Sequence, residues 1–475
     1  MNNNSLALKV IIIGGSVAGL TLAHCLDHAG IDYLVLEKHE DIQANIGGSI
    51  GLMANGCRIL DQLGIYRILE QYTSPISVSH MAFPDGYTRS DLFPTRLLQR
   101  FGYPVSILTR RQLLHVLSTS LRDVSKIRTA TKVVRIQPSE NPEAPITVYA
   151  EDGQHYSGDV VVGADGVYSL TRSEISRLAY GHHSVEARSA KQANLPHDMT
   201  IQYMCIFGIS QPVHSIPRGA QIVRCYDNLT LLIFPAREDT IPWFAIMRFY
   251  SPYTTGERLK WSREEIKARA ESMAHLQIWK EVRFGDLWRR TPTVSSTPLH
   301  EGLSEAWISN CMVCIGDSVS KLTPNIAQGA NLAIESAASL ANVLYQVRDM
   351  HKPSAMAVQD CLEQYVRNHR RRLRGIHAFS RFVTRVQSRQ GYFLPLFSRY
   401  LYPWSGDATF FLLADIIAGA VALDYIPLPQ RSGGKWESPG RAIARRTILT
   451  LILVLGAFAT NYIFERQKAQ PAMVE

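Results

Sequence analysis

The sequence predicts an α/β protein: a Rossmann-like dinucleotide-binding domain, interrupted by an inserted β-sheet domain and followed by a helical, membrane-associated C-terminal region. Three observations carry this expectation. Residues 9–13 read KVIII, an unbroken apolar run of the kind that forms a strand buried on both faces of a parallel sheet. The run leads directly into GGSVAG at 14–19, the head of a helix pattern that stops near Gly30, and IDYLVLEK then returns as a second strand ending at Glu37. Far downstream, 307–315 reads as another buried strand, followed by GDSVSKLTPNIAQGANLAIESA, where glycine, proline and small residues precede a second helix suited to close packing.

Strand, glycine turn, helix and strand make one β-α-β unit. A turn as tight as Gly14, Gly15 and Ser16, closed by Gly19, tolerates little side chain. The free N–H groups of the helix it opens can hold a pyrophosphate. Ser16 stands where the usual GxGxxG pattern has its second glycine; it is small and can donate a hydrogen bond. Glu37, at the end of the second strand, is placed to accept from ribose hydroxyls, and its charge favours FAD or NAD over the extra phosphate of NADPH. Residues 52–72 read as helix broken at Gly64, 78–93 as strands around a turn at Pro84 to Tyr87, and 111–122 as helix. A hairpin is expected from 131–137 and 145–150, then a strand over 156–162 that runs into GADG, with Asp165 and Gly166. The texture changes over 175–300. Strands are expected at 201–210, 220–235 and 242–250, with an amphipathic helix at 263–276 that puts Ile266, Ala270 and Met273 on one stripe. Further helices are expected at 326–348 and 355–390.

These elements divide the chain into a first dinucleotide-binding part (1–175, with an inserted segment of the sheet domain near 75–105), a mainly substrate-binding sheet domain (176–300), a second dinucleotide-binding part (301–350), a basic helical and membrane-surface region (351–446) and a transmembrane helix (447–464). A chain of 475 residues with 46% hydrophobic content can fill several cores. The net charge is +9, much of it gathered in RNHRRRLR at 367–374 and in Arg381, Arg385 and Arg389. No nucleic-acid motif accompanies that charge, so no nucleic-acid role is expected. Seven scattered cysteines in apolar runs read as reduced core residues. Cys311 and Cys314 form a CxxC that would suit a redox or zinc pair. In a strand, however, residues three apart face opposite ways, so no metal site is expected.

The N-terminal MNNNSLAL lacks the pattern of a signal peptide. The uncharged run 447–464 has a spanning length, and Arg445 and Arg446 before it put the catalytic part in the cytosol, with the endoplasmic reticulum as the expected membrane. The apolar run 408–423, interrupted by Asp415, is expected to lie at the membrane surface or re-enter it, with a second span as the alternative. The arginines of 367–389 are expected to rest on anionic headgroups.

Four landmarks carry a family resemblance: VIIIGGSVAGLTLAHCL with LVLEK; GGSIGLMANGCRILDQLG at 47–64; VVVGADGVYSLTR at 160–172; and CIGDSVSKLTPNIAQGANLAIESA at 314–337. Together they resemble the FAD-dependent aromatic-hydroxylase-like monooxygenases, and within them the fungal membrane-associated epoxidases of indole-diterpene and meroterpenoid pathways. The resemblance implies a glutathione-reductase-type FAD-binding domain. It implies that Glu37 binds the adenosine ribose, that Gly51 lies close to the flavin, and that Arg110 reaches the FAD phosphate or ribitol, with Arg111 as its rival. Asp165 and Gly166 would bring backbone near the cofactor, and Asp317 would accept from a ribityl hydroxyl. Pro324 and the stretch from Ala327 through Gly329 and Ala330 would lie along the ring system, where a backbone N–H can stabilise negative charge on the reduced flavin. The chain departs from the family at Ser320, where a histidine is common.

The resemblance further implies NADPH as transient reductant and dioxygen as oxygen source. The substrate would be a lipid-like, prenylated intermediate epoxidised on its prenyl chain, with a downstream membrane terpene cyclase as partner. A membrane-associated hydroxylase or a lipid double-bond reductase is the alternative. Apolar walls for a dry pocket are expected from Ile206 and Phe207, Leu231 to Phe234, and Trp243 and Phe244. Tyr226 is the polar candidate for catalysis, as a donor to a substrate or epoxide oxygen, with simple packing as its rival.

Overall fold

The computed structural model describes residues 8–43, 48–180, 199–237, 239–253, 261–350, 353–405, 407–431 and 435–436. The KVIII run becomes the middle of a sheet: Lys9–Ile13 pairs in parallel with Asp32–Leu36 on one side and Val160–Gly163 on the other. Six strands lie in the order Ile308–Ser309, Met312–Cys314, Val160–Gly163, Lys9–Ile13, Asp32–Leu36, Ile127–Arg128. The strand expected over 156–162 is broken at Asp159. His155–Gly158 belongs to an antiparallel sheet with Ile146–Ala150 and Val133–Gln137, and only Val160–Gly163 enters the central sheet. Asp159 makes the break by accepting the Lys9 N–H at 2.8 Å, which turns the chain from one sheet to the other.

The helix Val17–Ala29 packs on the helix Gly329–Tyr345, so chain segments three hundred residues apart form one layer. Small buried residues, Ala333, Ala337 and Ala338 among them, permit that approach. The seven cysteines are buried thiols.

A second, eight-stranded sheet runs in the order Ser320–Lys321, Val294–Leu303, Met199–Ser210, Ile241–Tyr253, Leu229–Ile233, Ala220–Tyr226, Val78–Ala82, Thr88–Asp91. Side-chain alternation gives it two unlike faces. Ile206, Leu231, Ile233 and Trp243 pack outward, under the helix Arg263–Ser272 with its buried Ile266 and Ala270 and with Met273 beyond its end. Phe207, Leu232, Phe234 and Phe244 face the dinucleotide-binding part.

The C-terminal region corrects the expected membrane association. Among the described residues no helix is long and apolar enough to cross a membrane. The run 408–423 yields the helix Ala408–Ala418, of 11 residues, against the ~20 needed to span a bilayer. It buries Phe410, Leu413, Ala414 and Ile417 in the main core, against the helices Ala54–Gln62 and Phe93–Phe101. The arginine-rich segment forms the helix Ala355–Gln387, and several of its arginines turn inward rather than toward headgroups: Arg372 pairs with Glu335 and Arg385 with Glu301. Just beyond the helix, Arg389 pairs with Asp227. The expected membrane helix 447–464 lies outside the described residues. The expected endoplasmic-reticulum placement therefore finds no support in a membrane-spanning helix among the described residues.

Burial also sets a pH dependence. Desolvation holds the imidazoles of His300, His369 and His377 down to about 4, with cationic neighbours (Lys321, Arg372 and Arg381 respectively) acting in the same direction. In an unfolded chain each titrates near ~6.5. Between these values the unfolded state binds protons that the folded state refuses, so the stability is complete above ~6.5 and falls as pH drops toward 4. The urea midpoint is expected to be clearly lower at pH 5 than at pH 7.5. His369→Phe should narrow that difference, with His300 and His377 keeping the rest.

Candidate active site

The glycine turn is enforced by close approach. Gly14 has φ +109, and a Cβ there would sit 2.4 Å from the Ala164 carbonyl oxygen; a Cβ on Gly19 would sit 1.9 Å from the Gly14 carbonyl oxygen. Two helix starts open beside this turn. Ser16 precedes Val17–Ala29 and Gln328 precedes Gly329–Tyr345; neither side chain caps its helix, and neither first turn carries an acidic residue. Both starts line one cavity of about 2440 Å³.

Around that cavity stand Glu37, Gly51, Arg110, Asp165, Gly166, Asp317, Pro324, Gly329 and Ala330, together with Gly14 and Ser16. Gly15 and Gly19 shape the turn from behind. Glu37 is fixed at the rim: its Oε2 accepts the Gly15 N–H at 2.7 Å and its Oε1 the His39 N–H at 2.9 Å. Arg110 opens a helix whose start is held by a reciprocal Thr109–Gln112 cap, and its guanidinium donates to the Ser16 hydroxyl at 2.9 Å. Burial lowers the Arg110 pKa, while Asp317 and Glu37 act to raise it. Arg111 is exposed, so the helix register puts Arg110 and not its neighbour in the cavity.

The distant GADG and GDS segments are stitched together. Asp165 accepts from the Thr171 N–H at 3.1 Å through Oδ2 and from the Ser318 hydroxyl at 3.2 Å through Oδ1, and the Gly166 N–H donates to Ser318 Oγ at 3.2 Å. Asp317 pairs with Lys321. Gly51 lies against Ala327, where a Cβ would approach the alanine methyl to 2.6 Å.

Tyr226 lies elsewhere. Its hydroxyl donates to the Gln277 carbonyl at 2.6 Å, and it packs with the outward face of the eight-stranded sheet, away from the cavity. Strand parity is the reason: Val223 on the same strand faces inward, and Tyr226, three residues on, faces outward.

Several residues without an expected role complete the site. Arg172 donates to the Ser318 carbonyl at 2.6 Å and to the Val167 carbonyl at 2.7 Å. Asn331 donates to the Gly51 and Ala327 carbonyls at 3.0 and 2.6 Å and accepts from the Met53 N–H at 3.0 Å. The fully buried Glu335 takes a two-pronged contact from Arg372 at 2.6 and 2.9 Å. A lone carboxylate inside the small-residue pattern NLAIESAASLA was the available signal for Glu335; nothing in the sequence pointed to its distant arginine.

A family model for the FAD binding domain matches residues 7–380. The chain belongs to that family. It is an FAD-dependent monooxygenase that uses NADPH. FAD-dependent monooxygenase nodM of Hypoxylon pulicicidum is 41% identical over 455 residues, covering 95% of this chain and 96% of its own. FAD-dependent monooxygenase sdgC of Emericella nidulans is 41% identical over 482 residues, covering 96% and 98%. In fold, the monooxygenase is similar to Klebsiella pneumoniae HpxO complexed with FAD and uric acid, with TM-score 0.70 at 20% identity over 87% of this chain and 97% of the other. The Diels-Alderase PyrE3 of pyrroindomycin biosynthesis has a TM-score of 0.62 at 19% identity, over 87% and 80%. One fold thus carries different chemistries, and the site has to distinguish them.

The residues of the monooxygenase fit FAD. Two uncapped helix starts offer N–H groups to anionic or electron-rich atoms, a carboxylate stands at the end of the second strand, and the cavity exceeds the ~300–1,000 Å³ typical of a single small ligand.

Proposed function

We propose that this monooxygenase epoxidises the prenyl chain of a meroterpenoid or related prenylated intermediate in fungal secondary metabolism, with a cyclase consuming the product. The observation that carries the reading is the continuity of one cavity from the glycine turn to the apolar face of the inserted sheet. Beyond the dinucleotide end its walls are Phe207, Leu232, Phe234 and Phe244 from the sheet, and Phe382 and Leu412 from the C-terminal helices. Such walls suit an elongated apolar substrate and exclude water from the oxygen-transfer step. Oxygen addition to an alkene requires no proton to be taken from the substrate, which agrees with a wall of aromatic and aliphatic groups.

In this reading FAD, reduced by NADPH, supplies the oxygen-activating chemistry. The chain's own residues bind, orient and exclude. Glu37 holds the adenosine ribose, the N–H groups after Ser16 hold the pyrophosphate, and Arg110 reaches the phosphate or ribitol. Asp165 and Gly166 keep backbone close to the cofactor, Asp317 accepts from a ribityl hydroxyl, and Gly51, Pro324, Gly329 and Ala330 lie along the ring. The uncapped start of Gly329–Tyr345 would offer its N–H groups to negative charge on a bound ring.

The test is incubation of the purified protein with NADPH, isotope-labelled dioxygen and a panel of prenylated phenols and indoles. A product heavier by one labelled oxygen on the prenyl chain is expected. A product that gains hydrogen and no oxygen would show a double-bond reductase, and oxygen on the aromatic ring a hydroxylase. Phe244→Ala, which removes one wall, is expected to lower kcat/KM for the active panel member by about tenfold, near the ~1.5 kcal/mol lower end for burying a large apolar side chain, while FAD content stays at one per chain.

A further inference from the structure

We propose that one polar face of the helix Ala355–Gln387 positions the segment 320–327, whose loop 322–327 lines the cavity, making His377, Ser380, Thr384 and Gln387 positioning residues for the flavin ring. The inference rests on the reading that Pro324 through Ala330 lies along that ring. The four residues recur at intervals of three, four and three, which places them on one side of Ala355–Gln387. All four are buried, and each meets a buried residue of the loop in matching order. The His377 ring nitrogen bonds the Ser320 hydroxyl at 2.9 Å. Thr384 donates its own proton to the Ser380 carbonyl at 2.9 Å, so at 2.5 Å it accepts from the Thr323 hydroxyl. That hydroxyl in turn lies 3.2 Å from the Ser380 hydroxyl. Gln387 accepts from the Asn325 amide at 2.7 Å.

The loop needs such a hold. Its last residue, Ala327, has φ +51 and ψ +31, a left-handed conformation that a side chain disfavours. The 3-10 turn Pro324–Ile326 precedes it, and Pro324 has no N–H with which to tie itself down. The loop's other side, Leu322 through Ala327, lines the cavity. The helix is itself fixed to the inserted sheet: the Ser388 carbonyl accepts the Asn228 N–H at 2.8 Å, and Arg389 pairs with Asp227 at 2.7 Å. The face therefore sets the distance between the loop and the sheet that forms the apolar wall.

The experiment compares holoenzyme variants by the visible absorption and fluorescence of bound FAD, by the flavin reduction potential, and by FAD affinity on reconstitution. Thr384→Val with Gln387→Leu removes both hydrogen bonds that these two side chains accept from the loop, at similar volume. It is expected to shift the flavin spectrum and potential and to weaken FAD binding about tenfold. Thr384→Ser, which keeps the hydroxyl, is expected to keep the parental spectrum. Gly329→Val alters the loop's continuation directly. If Gly329→Val moves the spectrum and the double variant lowers only the melting temperature, the positioning role is overturned while the ring placement stands. If Gly329→Val leaves the spectrum unmoved, the ring placement falls and the proposal with it.

Discussion

Gly19→Ala protein is expected to purify without flavin's visible absorption band. The added Cβ would lie 1.9 Å from the Gly14 carbonyl oxygen, a backbone atom with no freedom to swing aside. That carbonyl belongs to the turn, and the turn is also pinned from the far side, because the Gly14 N–H donates to the Leu36 carbonyl at 2.9 Å. Opening the turn by the ångström or more that the methyl requires would move Gly15 off Glu37 and Ser16 off Arg110, contacts of 2.7 and 2.9 Å. Overpacking of this kind costs ~1–3 kcal/mol in a core. Here it also displaces the helix start where the pyrophosphate is expected to sit. The fold should survive, since the central strands keep their own parallel pairings, and circular dichroism should remain close to that of the parent. Reconstitution with excess FAD is expected to fail or to need at least a hundredfold higher concentration. Retention of flavin at the parental level would show that the turn does not hold the cofactor. Gly30→Ala is the matched comparison: its Cβ would meet nothing within 4 Å, and it should retain full flavin despite the mild cost of its φ of +72.

The contrast between Gly19 and Tyr226 shows which parts of the site were legible. Gly14, Gly19 and Glu37 are read from a local pattern, since strand, turn, helix and strand are adjacent in the chain and each constrains the next. The pairing of Asp165 with Ser318 is not local, yet both segments are glycine-marked turns after buried strands, so each could be found even though their contact could not. Tyr226 failed on parity. A candidate chosen for its chemistry in a strand has one of two faces, and the strand here turns that hydroxyl toward Gln277. The same parity divides the expected apolar walls, with Phe207 and Phe244 inside and Ile206 and Trp243 on the opposite face. The C-terminal run at 408–423 was misread because an apolar stretch has the same composition whether lipid or protein covers it. What distinguishes the two is the partner, and the helices Ala54–Gln62 and Phe93–Phe101 are distant in the chain. Arg372 and Arg385 of the long helix were misread for the same reason, because Glu335 and Glu301 are invisible as partners until the helix docks.

Glu335→Leu is expected to destabilise the protein by about 3–5 kcal/mol, a large part of the ~5–15 kcal/mol that holds a typical domain folded. Glu335 is fully buried, and Arg372, which grips both of its carboxylate oxygens, is also largely covered. Removing the carboxylate leaves the guanidinium with the Ile416 carbonyl, at 2.7 Å, and no opposite charge. It also frees the Asn55 amide, which donates at 2.6 Å to Glu335 and at 2.9 Å to Gln328. Adding Arg372→Met removes the stranded charge as well, and most of the lost stability should return, because two apolar groups of similar volume can replace a buried pair at little cost. Flavin retention is expected to behave differently. Gln328 precedes the uncapped start of Gly329–Tyr345, and its side chain is held by Asn55, which Glu335 orients. Restoring apolar packing does not restore that orientation. The double variant should therefore melt near the parental temperature and still release FAD several-fold faster. Equal recovery of both quantities would show that Glu335 serves packing alone, while recovery of stability without cofactor retention would place it among the groups that set the cavity floor.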